Sequence, residues 1–177
     1  MPSGALVEVR IDSDGLDACM KKQLASTLDV AVKVVKNSDP AVMPKVLQYQ
    51  QSSLKFEKSD IKHQIQQIYW SVLEKHCPPN MLAYVVKLLT KSKLRGFPWD
   101  SVHASSIVLC CRVVSVEALL DLKQMIDSGR LSRLFSDMFT VFANTSVTAV
   151  LSLSAEEYEI AYAVLIYAAG KNSVVNV

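Results

Sequence analysis

Four cysteines (Cys19, Cys77, Cys110, Cys111) and three histidines (His63, His76, His103) are the side chains of this 177-residue chain with the widest chemical reach. Thiolates and imidazoles hold zinc when two of them lie a few residues apart on one turn or hairpin. No C-x-x-C or H-x-x-x-H pair occurs, and the adjacent His76-Cys77 chelates poorly. The spacing therefore predicts no metal site and no cofactor. A nucleophilic thiol needs a base in hydrogen-bond reach and a setting that favours the thiolate. Cys111 falls on an apolar alternation and reads as core. Cys110 falls on the opposite side beside Arg112, which makes it the thiol to watch.

Other catalytic devices fail on spacing. "DSDG" at 12–15 opens like a calcium loop, but the positions that need Gly and Glu hold Asp17 and Gln23. A helix cap by Asp12 or Asp14 is the better reading. There is no GxxxxGK[ST] or GxGxxG, and five glycines leave little room for phosphate-cradling loops. Glu156-Glu157 suits the positive end of a helix. Lys87, Lys91, Lys93 and Arg95 read as a solvated helix end, with Phe97 and Trp99 as packing anchors in a following loop, 95–103. A net charge of +2 argues against nucleic acid.

The elements that position these residues follow from hydrophobic periodicity. Ala5, Val7, Val9 and Ile11 alternate with Leu6, Glu8 and Arg10, a half-buried strand. Leu16, Met20, Leu24, Leu28, Val32 and Val35 recur at helical spacing. "NSDPAVMP" ends that helix; a shorter one over about 41–51, a loop at 51–59 and a helix at 61–73 follow, closed by Cys77-Pro78-Pro79. Residues 80–94 suit a buried helix or an apolar strand, and length favours helix. Residues 104–114 form a strand with Ile107, Leu109, Cys111 and Val113 on one side and Val108, Cys110, Arg112 and Val114 on the other. Ser115 caps the next helix and Ser128-Gly129 bends into another. Residues 146–152 alternate again, Val147, Ala149 and Leu151 against Thr148, Val150 and Ser152. Ser154 and Glu157 fit a capping box for a last helix, ending near Gly170-Lys171. From Ile160 to Ala169 this helix is apolar on nearly every side, which predicts deep packing.

Half the residues are hydrophobic, with only five Gly and six Pro, so the chain can bury a full core. The prediction is one α+β domain over 1–177, with an N-terminal helical part at about 15–95 and a small, mainly antiparallel sheet with several helices packed on one face. The N-terminus has no secretory pattern, the longest apolar run is too short for a bilayer, and the cysteine spacings suit a reducing compartment. These features predict a soluble cytoplasmic protein that does not span membranes.

The order "IVLCCR", helix, "IDSGRLSRLF", "TSVTAVLSLS", helix, with "GALVEVRID" as a first strand, resembles the N-terminal domain of the death-domain adaptor TRADD over about half the chain. The resemblance implies an α+β sandwich, no enzymatic activity, and a protein partner bound through the exposed sheet face. No death domain is present, and Glu8 and Arg10 depart from a hydrophobic docking face.

The residues facing away from the helices would be Leu6, Glu8, Arg10, Val108, Cys110, Arg112, Thr148 and Val150. They make the expected partner-binding set of a non-enzymatic interaction module, an adaptor or scaffold in signalling. Unpaired strand edges also make strand addition and homo-oligomerisation physically available. Two alternatives stand beside it. One is a small enzyme or ligand-binding domain whose pocket holds Cys110, His103 and Arg112. The other is a wholly helical chain.

Overall fold

A computed structural model describes residues 4–36, 71, 73–75, 77–103 and 107–175. Strand β1 (Ala5–Asp14) leads to α1 (Ala18–Lys36); after the segment outside the description come α2 (Pro79–Leu94), β2 (Trp99–His103) and β3 (Val108–Val113). Helices α3 (Val116–Asp127) and α4 (Arg130–Ala143), strand β4 (Thr148–Ser152) and helix α5 (Ala155–Val175) complete the chain. The fold is α+β, and the wholly helical alternative is excluded. The expected short helix at 41–51, the loop at 51–59 and most of the helix at 61–73 lie outside the described residues, as do His63 and His76.

The four strands run in the order β2-β3-β1-β4, and every neighbouring pair is antiparallel. β1 is therefore central. It pairs with β3 from Ala5↔Val113 to Arg10↔Val108, and with β4 from Arg10↔Ser152 to Asp14↔Thr148. The expected crossover of about 30 residues is the α3–α4 pair; β3 and β4 run parallel to one another with β1 between them. Two positive-φ glycines bracket the central strand: Gly4 at +124° and Gly15 at +102°. A Cβ on Gly4 would press on the Val113 carbonyl, and one on Gly15 would lie 2.7 Å from the Ser146 carbonyl oxygen.

Strand alternation sends Val7, Val9, Ile11, Leu109, Cys111, Val113, Ala149 and Leu151 into the core. Phe97 and Trp99 anchor it as expected. Trp99 meets Phe135 edge-on with centroids 6.3 Å apart, and Phe135 meets Phe139 at 5.8 Å. Ser115 caps α3 by accepting from Ala118 N at 3.1 Å, and Ser154 accepts from Glu157 N at 3.1 Å.

Several expectations are corrected. Asp12 and Asp14 lie in β1, which runs on past Ile11; the cap is Asp17, whose Oδ1 accepts from Met20 N at 2.7 Å. Residues 80–94, by contrast, are helical as length favoured, with Pro79 in the first turn, where a missing N–H costs nothing. The loop expected at 95–103 contains strand β2, whose alternation is broken by a bulge between Trp99 and Ser101. The last helix continues through Gly170 to Val175 and is not deeply packed. Among the described side chains of this helix only Ala161 and Leu165, one turn apart, are buried, because α5 touches its neighbours β1 and α3 along a single line. Ile160, Tyr162, Val164, Ile166 and Tyr167 are exposed. Among the described residues, no helix is long and apolar enough to cross a membrane.

Candidate functional site

The register brings all eight expected face residues onto one side of the sheet. Leu6 stands opposite Arg112, Glu8 opposite Cys110, Arg10 opposite Val108 and Ser152, Asp12 opposite Val150, and Asp14 opposite Thr148. Ser101 and His103 of β2 extend two of these rows, opposite Cys110 and Val108. Leu6 and Val150 are 53% and 54% exposed, a high value for large apolar side chains in strands. Val108, Cys110 and Arg112 are half-buried by their neighbours. Arg10 and Arg112 form no ion pair among the described residues. The face is mixed: Arg112 beside Leu6 at one end, Asp12 and Asp14 beside Val150 at the other.

At its centre, Glu8, His103 and Cys110 come from three adjacent strands, and their donor atoms all lie within 4.8 Å of one another. Cys110 Sγ and His103 Nε2 are 3.4 Å apart. Ile11 N donates to Ile107 O, so odd-numbered β1 groups point at β3 and even-numbered ones away from it. Glu8 and Cys110 thus form a non-hydrogen-bonded pair, the closer kind of cross-strand pair. His103 sits diagonally from Cys110, a separation that long side chains bridge. Sequence spacing could not find this trio, because its members are 8, 103 and 110 and His103 was assigned to a loop. The signal lay in the alternation that put Glu8 and Cys110 on one face.

The other cysteine of the pair is different. Cys111 turns inward and its Sγ donates to Phe97 O at 3.0 Å. Burial pushes its thiol well above the usual range, with Cys110 and Asp100 adding to the effect. Burial likewise raises Cys77 to about 11. Burial of both favours the protonated thiol.

Of the three residues of the alternative pocket, Arg112 lines a cleft with Lys36, Lys93, Pro98, Trp99 and Asp100. The Cys110–His103 pair lies on the open face. A cleft of about 320 Å³ lies elsewhere, lined by Tyr84, Lys87, Lys91, Arg95, Met125 and Arg130 among others, with no Cys or His. Its lysines are those read from sequence as a solvated helix end.

The β4 edge and the free half of β1 are closed by side chains. β4 is the outer strand beside β1, and α4 runs along it. Leu151 N donates to Ser132 Oγ at 3.0 Å, Ala149 N to Ser136 Oγ at 2.8 Å and Val147 N to Thr140 Oγ1 at 3.1 Å. Ser136 and Thr140 hydroxyls also donate to the carbonyls of Ala149 and Val147, both at 3.1 Å. The match is geometric. Four residues of helix rise about 6 Å and two residues of strand about 6.7 Å, so hydroxyls at i, i+4 and i+8 meet alternate strand residues. Where β4 stops short, the Glu8 amide on the free half of β1 donates to Glu157 Oε2 at 3.1 Å. At the far edge, β2 is short, follows Pro98, carries the bulge, and places Asp100 against Lys36 at 2.9 Å. Short length, proline, bulge and charge are the devices that discourage strand addition. The sequence expectation that edges would be open is corrected at β4, whose outward amides at Val147, Ala149 and Leu151 and outward carbonyls at Val147 and Ala149 are taken.

No protein-family model, no curated protein and no solved structure matches this chain.

Proposed function

We propose that this chain is a non-enzymatic protein-interaction module, an adaptor or scaffold unit that docks its partner on the open sheet face. The observation that carries the reading is the combination of a displayed face with occupied edges. Helices pack behind the sheet, hydroxyls and a carboxylate occupy the edges of β4 and β1, and the front presents Leu6, Val108 and Val150 among charged groups. Interfaces typically combine apolar anchors with a polar, charge-complementary surround. The partner that fits is a polypeptide surface with an acidic group for Arg112 and Arg10, a basic group for Asp12 and Asp14, and apolar side chains between them. The adaptor reading also draws on the resemblance of the sequence pattern to the TRADD N-terminal domain. We place the module in the cytoplasm, where four free thiols are stable.

Two variants test the site. Proteins captured from lysate by the whole chain are purified and titrated against wild type, Arg112→Glu and Val150→Glu, with unfolding midpoints measured in parallel. Both substitutions lie on the displayed face, so folding should persist. Affinity should fall about tenfold or more for each, the size expected when a central contact is lost. A partner that binds both variants as tightly as wild type uses another surface and removes this reading.

A further inference from the structure

We infer that Glu8, His103 and Cys110 form a binding site for a borderline-soft divalent cation, Zn²⁺ in the first instance. The inference stands on the trio's geometry and does not depend on the docking reading. Around a tetrahedral zinc, a thiolate at about 2.3 Å and an imidazole nitrogen at about 2.0 Å lie roughly 3.5 Å from each other. The observed Cys110 Sγ–His103 Nε2 separation is 3.4 Å, already the edge of that tetrahedron. The carboxylate is within 4.8 Å of both, and Glu8 is exposed, so a change of side-chain rotamer brings its oxygen in. The backbone holds the site from below: three neighbouring strands fix the three Cβ positions by ladder pairing.

The donor set decides the metal class. One sulfur, one nitrogen and one oxygen suit zinc and its first-row neighbours; Mg²⁺ and Ca²⁺ call for all-oxygen shells. Cys111 cannot join, because it faces the core and donates to Phe97 O. Arg10 and Arg112 lie two residues from Glu8 and Cys110 on the same face, roughly 7 Å along each strand. Their repulsion is screened by solvent, and a bound dication beside one thiolate and one carboxylate leaves the three-ligand centre neutral. Three protein ligands leave a fourth position directed away from the sheet, open to water or to a donor brought by another molecule.

The test uses the full chain with reductant removed. Zn²⁺ is titrated against a chromophoric chelator, and Co²⁺ is added separately to read thiolate-to-metal charge transfer in the near ultraviolet. The expected result is one equivalent of Zn²⁺ at micromolar affinity or tighter and a Co²⁺ charge-transfer band. Cys110→Ser should abolish that band and weaken zinc at least about tenfold, as should His103→Ala; Glu8→Gln should weaken it less. Cys19→Ser, an exposed cysteine outside the trio, should change nothing. Circular dichroism confirms that each variant keeps its fold. The assignment is overturned if zinc does not bind saturably, or if binding survives Cys110→Ser or is lost in Cys19→Ser.

Discussion

Replacing Ser136 by Ala probes how α4 closes the sheet. The Ser136 hydroxyl accepts from Ala149 N at 2.8 Å, and its single proton is shared between Ser132 O at 2.7 Å and Ala149 O at 3.1 Å. Without that oxygen, the Ala149 amide stays partly buried beneath α4 with no acceptor. An unpaired buried donor costs about 1–3 kcal/mol, while alanine returns roughly 0.3–0.5 kcal/mol of helix propensity. The net loss is therefore about 0.5–2.7 kcal/mol out of a total stability of roughly 5–15 kcal/mol. For a chain of this size it lowers the thermal midpoint by about 1–11 °C. Urea unfolding gives the free energy, and amide hydrogen exchange at Ala149 locates it; Asp137→Ala, on the exposed side of the same helix, is the control. Removing all three hydroxyls, at 132, 136 and 140, should also raise self-association, because it bares the β4 edge. If Ser136→Ala costs less than about 0.5 kcal/mol and leaves Ala149 exchange unchanged, the hydroxyl row does not hold the strand.

Other outcomes follow from the core and the thiols. Phe135→Ala removes a ring that touches both Trp99 and Phe139, and should cost about 3–5 kcal/mol in denaturant unfolding. With a thiol reagent at neutral pH, Cys19 and Cys110 should label in the native protein, while Cys77 and Cys111 label only on unfolding. The same two buried groups make stability pH-dependent. Their folded pKa values lie above the unfolded value near 9, so the unfolded chain releases these protons first; stability holds below pH 9 and falls as pH rises toward about 11 for Cys77. Unfolding midpoints across that alkaline window measure it, with a Cys77→Ala variant expected to flatten the slope.

The parity of the sheet was legible from residues alone, because strict alternation in β1, β3 and β4 assigns each side chain to one face. β2 escaped notice for a physical reason. In "WDSVH" the bulge at Asp100 makes Trp99 and Val102 both point inward, so the period of two is lost. A loop at this position keeps His103 off the sheet, so the sequence groups it with Cys110 in a pocket and leaves Glu8 out. The hydroxyl row was visible as Ser132, Ser136 and Thr140 at four-residue spacing, but polar residues there read equally as a wet stripe until β4 is placed beside them. Helix α5 failed differently. A sequence apolar on every side carries no phase, so it cannot say how much of the helix meets a neighbour. The structure gives it one seam, Ala161 and Leu165.

Two of the sheet's three ladders run through β1, and both its ends turn on residues that tolerate no side chain. A library of variants sorted for folding should return glycine at 4 and 15 almost without exception, while Leu6, Arg112, Val150 and their neighbours diversify. The molecule thus separates a frozen frame from an outer face whose side chains can be rewritten over generations without renegotiating the fold beneath them.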